Sequence, residues 1–213
     1  MKKAIYVLSV LIASQLTMNA QKSKVGFTGG IGGGVAVTNF KYENASNSPS
    51  SNMGLTAGVL WEVPIGKSFI FQPAINYVRK GDEESTPTGM LNLVLNCFET
   101  QYNFLYRTSG DNGYFFVGAG PSATLHINGK WKLEKAGAKQ ESSVKLGKTK
   151  IDDLKKQDFG VTGLIGYQFS KIVSISASYN QGLTNLYPVS ADYVTIKSNY
   201  FAIKLGFMFK EKK

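Results

Sequence analysis

The 213-residue chain is basic, with a formal net charge of +10, 43% hydrophobic residues, one cysteine and one histidine. That length suits one domain with its own core, and a lone Cys97 excludes an internal disulfide. One His and one Cys supply no metal-ligand cluster, and no cofactor-binding motif is present.

Lys2 and Lys3, an apolar run from Ala4 to Ala13, and Met18-Asn19-Ala20 before Gln21 have the layout of a cleaved secretory signal. Residues 1–20 are therefore expected to be removed on export, leaving a domain over 21–213. Losing Lys2 and Lys3 lowers the charge from +10 to +8. An exported chain of this kind meets no nucleic acid, so its charge is not a nucleic-acid signature. No later segment reaches the ~20 consecutive apolar residues of a membrane helix.

Lys24 to Val37 alternates Val25, Phe27, Ile31, Val35 and Val37 with a glycine-rich parity, which reads as a strand. A phosphate-cradling loop is not supported, because no Lys-Ser/Thr follows and no helical pattern begins there. Phe40 to Asn52 reads as a solvated loop. Leu55 to Val63 and Phe69 to Tyr77 then form a hairpin around Pro64-Ile65-Gly66-Lys67. Pro73 lacks an amide hydrogen, so a bulge is expected beside it. Gly81 to Thr88 reads as a second polar loop. From Met90 the apolar parity changes: Leu91, Leu93 and Leu95 are odd, whereas Phe98, Tyr102, Phe104 and Tyr106 are even. Either a bulge sits at Asn96-Cys97 or the membrane strand starts at about Phe98. A turn at Ser109 to Gly113 leads into the alternation from Phe115 to Ile127. Gly129 to Gln157 is the longest insertion, with nine Lys against four acids. Phe159 to Phe169 and Val173 to Tyr179 form a clean hairpin, and after a polar connection Phe201, Ile203, Leu205, Phe207 and Phe209 close the chain on one parity.

Eight strands result, joined by connections that alternate long and short. An even count with loops sorted by side is the signature of a membrane barrel. The fold expected is all-β: an eight-stranded antiparallel up-and-down transmembrane β-barrel, with both termini periplasmic and the last strand paired to the first. Closure is required because unpaired backbone groups in hydrocarbon cost several kcal/mol each. Eight strands enclose a lumen just wide enough for side chains, so no diffusion pore is expected. Glu62, Glu99, Arg107 and Lys204 fall on the inward parity, and buried charges persist when paired. The expectation is that Glu62 or Glu99 pairs with Lys204 or Arg107 as a polar plug.

Phe98-Glu99, Leu105-Tyr106-Arg107, Tyr114-Phe115-Phe116-Val117-Gly118-Ala119-Gly120-Pro121 and the closing Leu205-Gly206-Phe207 resemble the outer-membrane β-barrel family common in Bacteroidetes, often called PorT-like. The sequence departs from that family in having Thr100-Gln101 where an Ile-Pro pair is common. The resemblance implies an outer-membrane location and, for some members, a part in protein secretion. It implies no catalytic residues.

Three function classes fit these observations. The leading one is a non-enzymatic barrel, surrounded by outer-membrane lipid, that acts through its extracellular loops or as an accessory of a membrane or secretion assembly. Its basic loop (Lys130, Lys132, Lys135, Lys139, Lys145, Lys148 and Lys150) could meet lipopolysaccharide phosphates or an acidic protein partner, although such loops are commonly just solvated. A lipid-modifying enzyme would centre on His126 with Ser122 and Thr124 beside it. A soluble lipocalin-like carrier of apolar ligands would turn the apolar parity inward.

Overall fold

The computed structural model describes residues 27–43, 50–86, 89–110, 112–135, 138–149, 151–170, 172–188 and 195–209. The signal segment expected over 1–20 lies outside them. Among the described residues nine strands form: β1 (Thr28–Glu43), β2 (Ser50–Pro64), β3 (Phe69–Thr86), β4 (Gly89–Arg107), β5 (Gly113–Lys135), β6 (Ala138–Ser143), β7 (Gln157–Phe169), β8 (Val173–Gly182) and β9 (Thr195–Met208). All pairings between these strands are antiparallel. β9 pairs with β1, and β4 with β5, so eight strands close a ring while β6 extends β5 outside it.

The alternation in the sequence fixes which face turns outward. On β9, Phe201, Ile203, Leu205 and Phe207 are exposed on the outer wall, while Tyr200 and Ala202 are buried inside. Inward glycines let neighbouring backbones approach closely: a Cβ at Gly34 would collide with the Ile203 carbonyl oxygen. At the end carrying the short turns, Phe69–Tyr106 (centroids 5.6 Å apart), Phe71–Phe104 (5.2 Å) and Phe115–Tyr167 (4.6 Å) form an aromatic girdle. At the other end, Tyr77 OH donates to Asn96 Oδ1 at 2.7 Å, and Asn96 Nδ2 to Asn128 Oδ1 at 2.7 Å. Tyr179 OH donates to Gln181 at 3.1 Å, and Gln181 Nε2 to Asn199 Oδ1 at 2.8 Å. These two belts bound the hydrocarbon band. On β3 it runs from Phe69 to Tyr77, close to the ~9–11 residues a tilted membrane strand needs.

Above the polar belt the strands continue, which corrects three expectations. The described parts of Phe40 to Asn52 and of Gly81 to Thr88 are strand and not loop, because β1 runs to Glu43, β2 begins at Ser50 and β3 runs to Thr86, while 44–49 and 87–88 lie outside the described residues. The Lys-rich insertion contains a ninth strand, β6. The register change is a bulge, but the extra residue is Ile127 on β5: Asn96 faces Asn128 while Cys97 faces His126. β4 itself keeps one parity throughout. Pro73 causes no bulge; its register towards β2 and β4 is unbroken, and the β2 ladder simply omits Trp61 and Glu62. The β2 irregularity lies between Ser51 and Thr56 instead. There Thr38 Oγ1 reaches from β1 to donate to the Gly81 carbonyl at 2.7 Å and accept from the Gly81 N–H at 2.9 Å.

Candidate functional site

The inside of the barrel is layered. Nearest the short turns, Ile70, Leu105, Tyr114 and Phe116 pack as an apolar ring with Leu164 against them. Polar side chains occupy the middle. Over the top, Phe40, Leu93, Leu95, Cys97 and Ile196 of the strands meet Val144, Leu154 and Leu186 of the connections in a second apolar cluster.

The middle layer is organised around Glu99. Lys80 Nζ lies 3.1 Å from its Oε2, and neither side chain has any solvent exposure. Thr124 Oγ1 donates to the same oxygen at 2.9 Å, while Gln101 Nε2 donates to Oε1 at 2.7 Å. Tyr200 OH donates to Oε1 as well, and the Lys80 ammonium sits 4.9 Å from the Tyr200 ring centroid. A buried ion pair survives only when further hydrogen bonds satisfy its remaining capacity, and four donors on one carboxylate achieve that.

The sequence-predicted residues are therefore distributed differently from the expected pairing. Glu99 pairs with Lys80 and not with Lys204 or Arg107. Glu62 sits near the short-turn end, accepting from Gln72 Nε2 at 3.3 Å and Tyr114 OH at 3.4 Å. Arg107 lies there too, its guanidinium 5.3 Å from the Tyr114 ring centroid. Both line an open mouth of about 340 Å3 together with Lys67 and Thr28. Lys204 stands apart, donating to Asn76 Oδ1 at 3.3 Å. Lys80 was missed because the sequence around it reads as the start of a loop. It continues the inward parity of Gln72, Ala74, Asn76 and Val78, and extending that parity would have found it.

The basic insertion splits into two parts. Lys130 and Lys132 share Glu141 (2.7 and 3.3 Å), and Lys139 meets Glu134 at 3.4 Å, all on one exposed face of the β5–β6 hairpin. Glu141 is held below the usual carboxylate range by hydrogen bonds from those two lysines. Lys135, Lys145 and Lys148 are exposed, and Lys150 lies outside the described residues. The second part folds over the barrel top, where Val144 N–H donates to Gly129 O at 3.0 Å, Gly147 N–H to Leu154 O at 3.0 Å and Lys155 N–H to Leu186 O at 2.8 Å. Beside this cap, above the hydrocarbon band, Tyr42 OH donates to Asp82 Oδ2 at 3.1 Å. Burial pushes the Asp82 carboxyl up to about 6 and raises the Tyr42 phenol as well.

His126 does not assemble a catalytic triad. Its Nδ1 lies 2.9 Å from the Lys155 carbonyl oxygen, Ser122 Oγ accepts from Asn180 at 2.8 Å, and Thr124 Oγ1 serves Glu99. Among the described residues no group of three or more His, Cys, Asp or Glu side chains is placed to hold a metal ion. A lipocalin-like carrier is also inconsistent with the fold, since the apolar parity forms the outer wall.

A model of the outer membrane protein β-barrel domain matches residues 19–187. The chain belongs to this family. The outer-membrane barrel is similar to OprG of Pseudomonas aeruginosa, with a TM-score of 0.50 and 11% identity over 88% of this chain and 98% of OprG. It is also similar to Neisserial surface protein A (TM-score 0.48, 13% identity, 86% and 99% covered). Ail, the attachment invasion locus protein of Yersinia pestis, gives a TM-score of 0.43 at 15% identity, with 85% and 98% covered. At these identities the likeness to OprG speaks to the fold alone. No curated protein matches the chain.

Proposed function

We propose that this barrel is a non-enzymatic, non-conducting outer-membrane protein that works through its extracellular part, either by binding there or as an accessory of a membrane or secretion assembly. In this reading it is PorT-like and of Bacteroidetes type, residues 1–20 are a cleaved export signal, and both termini are periplasmic. The observation that carries the proposal is the second apolar cluster. β1, β2, β3, β4, β5 and β9 all continue above the polar belt, and the connections fold over them around a core that they share. A chain that needed only to span the membrane would have no use for that structure. The buried Glu99–Lys80 cluster beneath it favours a sealed lumen. Lys135, Lys145 and Lys148, exposed on the extracellular side, are the groups that would meet lipopolysaccharide phosphates or an acidic protein.

The test has two arms. In planar bilayers the purified protein is expected to give no steady conductance; discrete open-channel steps would overturn the sealed-lumen reading. Photo-crosslinkers at 135 and 145 in intact cells should trap one discrete species, either glycolipid or protein. Crosslinks indistinguishable from those of a probe on the lipid-facing wall would overturn the extracellular-binding reading.

A further inference from the structure

Between the Glu99 cluster and the apolar ring lies an internal cavity of about 50 Å3, walled by Gln72, Asn76, Gln101, Ser176, Ser178 and Lys204. A water needs only ~10–15 Å3 of such space, so the cavity admits a few waters or one small ion. Its lining is rich in donors. Among the described residues no carboxylate lies within 4.0 Å of Lys204 Nζ, whose hydrogen bond is to an amide oxygen of Asn76. Asn76 Nδ2 and Ser178 Oγ are buried and make no hydrogen bond within the protein. Ser176 lies directly opposite Lys204 across the β8–β9 ladder. The nearest carboxylate, Glu99, acts on Lys204 only from a distance, because its oxygens already take Lys80, Thr124, Gln101 and Tyr200.

A cation enclosed without a counter-charge is unfavourable, and so is each buried polar group left unpaired. One ligand class answers both at once: it must be anionic, small and able to accept from several donors. We propose that this cavity is a binding site for a single halide-sized inorganic anion, held by the Lys204 ammonium with Asn76 Nδ2 and Ser178 Oγ. Three donors suit a single spherical acceptor better than a tetrahedral oxyanion with four oxygens to satisfy, and a cation would be repelled by Lys204. The lumen then carries two ionic locks of different kinds. Glu99–Lys80 is closed by the chain itself, and Lys204 by an ion taken from solution. The proposal is independent of what the extracellular part binds.

The test uses the full mature barrel in detergent. Its unfolding temperature is followed by dichroism while sodium bromide is raised from about 1 to 100 mM, with sodium sulfate holding ionic strength constant. A ligand that binds only the folded state raises the midpoint with the logarithm of its concentration. The expected result is such a rise for the native protein, its loss in Lys204→Met, and a half-effect concentration about tenfold higher in Ser178→Ala, the milder change that keeps the test open should Lys204→Met fail to fold. Bromide-soaked crystals should show anomalous density against Lys204 Nζ. A native midpoint indifferent to bromide, an unchanged bromide response in either folded variant, or density only on the outer surface would overturn the proposal.

Discussion

The two halves of β4 carry opposite patterns on one continuous strand. Below Cys97, Phe98, Tyr102, Phe104 and Tyr106 are exposed while Glu99, Gln101 and Asn103 are buried. Above it Leu93 and Leu95 are buried while Asn92 and Asn96 turn outward. The backbone does not flip; the solvent does. Where lipid surrounds the barrel, apolar side chains belong outside and polar ones can be satisfied within. Where water surrounds it, the ordinary rule returns and the inside becomes apolar. The same chain is an inverted protein up to the Tyr77–Asn96–Asn128 belt and a conventional one beyond it.

The strongest way to break this comparison is to unbalance the polar lumen. Glu99→Ala leaves Lys80 buried without its partner and is expected to cost about 3–5 kcal/mol, whereas Glu99→Leu combined with Lys80→Met should recover most of that loss. Urea unfolding in lipid vesicles measures both, and a double variant no better than the single one would show that the layer depends on shape rather than charge pairing. Next in size, Ile203→Arg on the lipid-facing wall should cost about 2–4 kcal/mol by the same assay. Met90→Arg, equally outward but above the belt, should stay within about 0.5 kcal/mol. Equal losses at the two sites would mean that the hydrocarbon boundary is misplaced.

Asp82 sharpens the comparison on the watery side. Its folded value of about 6 exceeds the ordinary 3.8, so between those values the folded protein holds a proton that the unfolded chain releases. Stability contributed by this group is therefore full below about pH 4, falls as pH rises towards 6, and is level beyond. Asp82→Asn should remove that slope and gain on the order of 1–3 kcal/mol at neutral pH, read as the difference between two unfolding-versus-pH curves. A parallel pair of curves would contradict the assignment. Within the cap, Ile196→Val should cost about 1 kcal/mol without changing resistance of the membrane band to protease. Proteolysis that spreads into the band would show that cap and barrel unfold as one.

Strand existence, ring closure and the outward set were legible because period-two alternation against one solvent needs only a count. Phe40, Leu93 and Lys80 were not, for a shared reason. Parity states which residues lie together and is silent about which solvent they face. Past the belt, polar outward residues imitate a loop, and inward Lys80 looks like the beginning of one. The Glu99 layer was half legible: its inward carboxylate followed from parity, while its partner sat just past the point where the pattern seemed to end.

The bulge at Ile127 has a consequence for how such a chain can be altered. It acts as a seam between two parts obeying different rules, placed where one residue can be absorbed without disturbing the ring. A peptide inserted at the tip joining β5 to β6 would lengthen only the watery part, leaving every lipid-facing side chain and every rung of the closed ladder where it was. A single residue inserted below the seam would turn the remainder of its strand inside out. The molecule thus separates a fixed stem from a head whose outer connections can be lengthened, and on β5 the border between them is one residue wide.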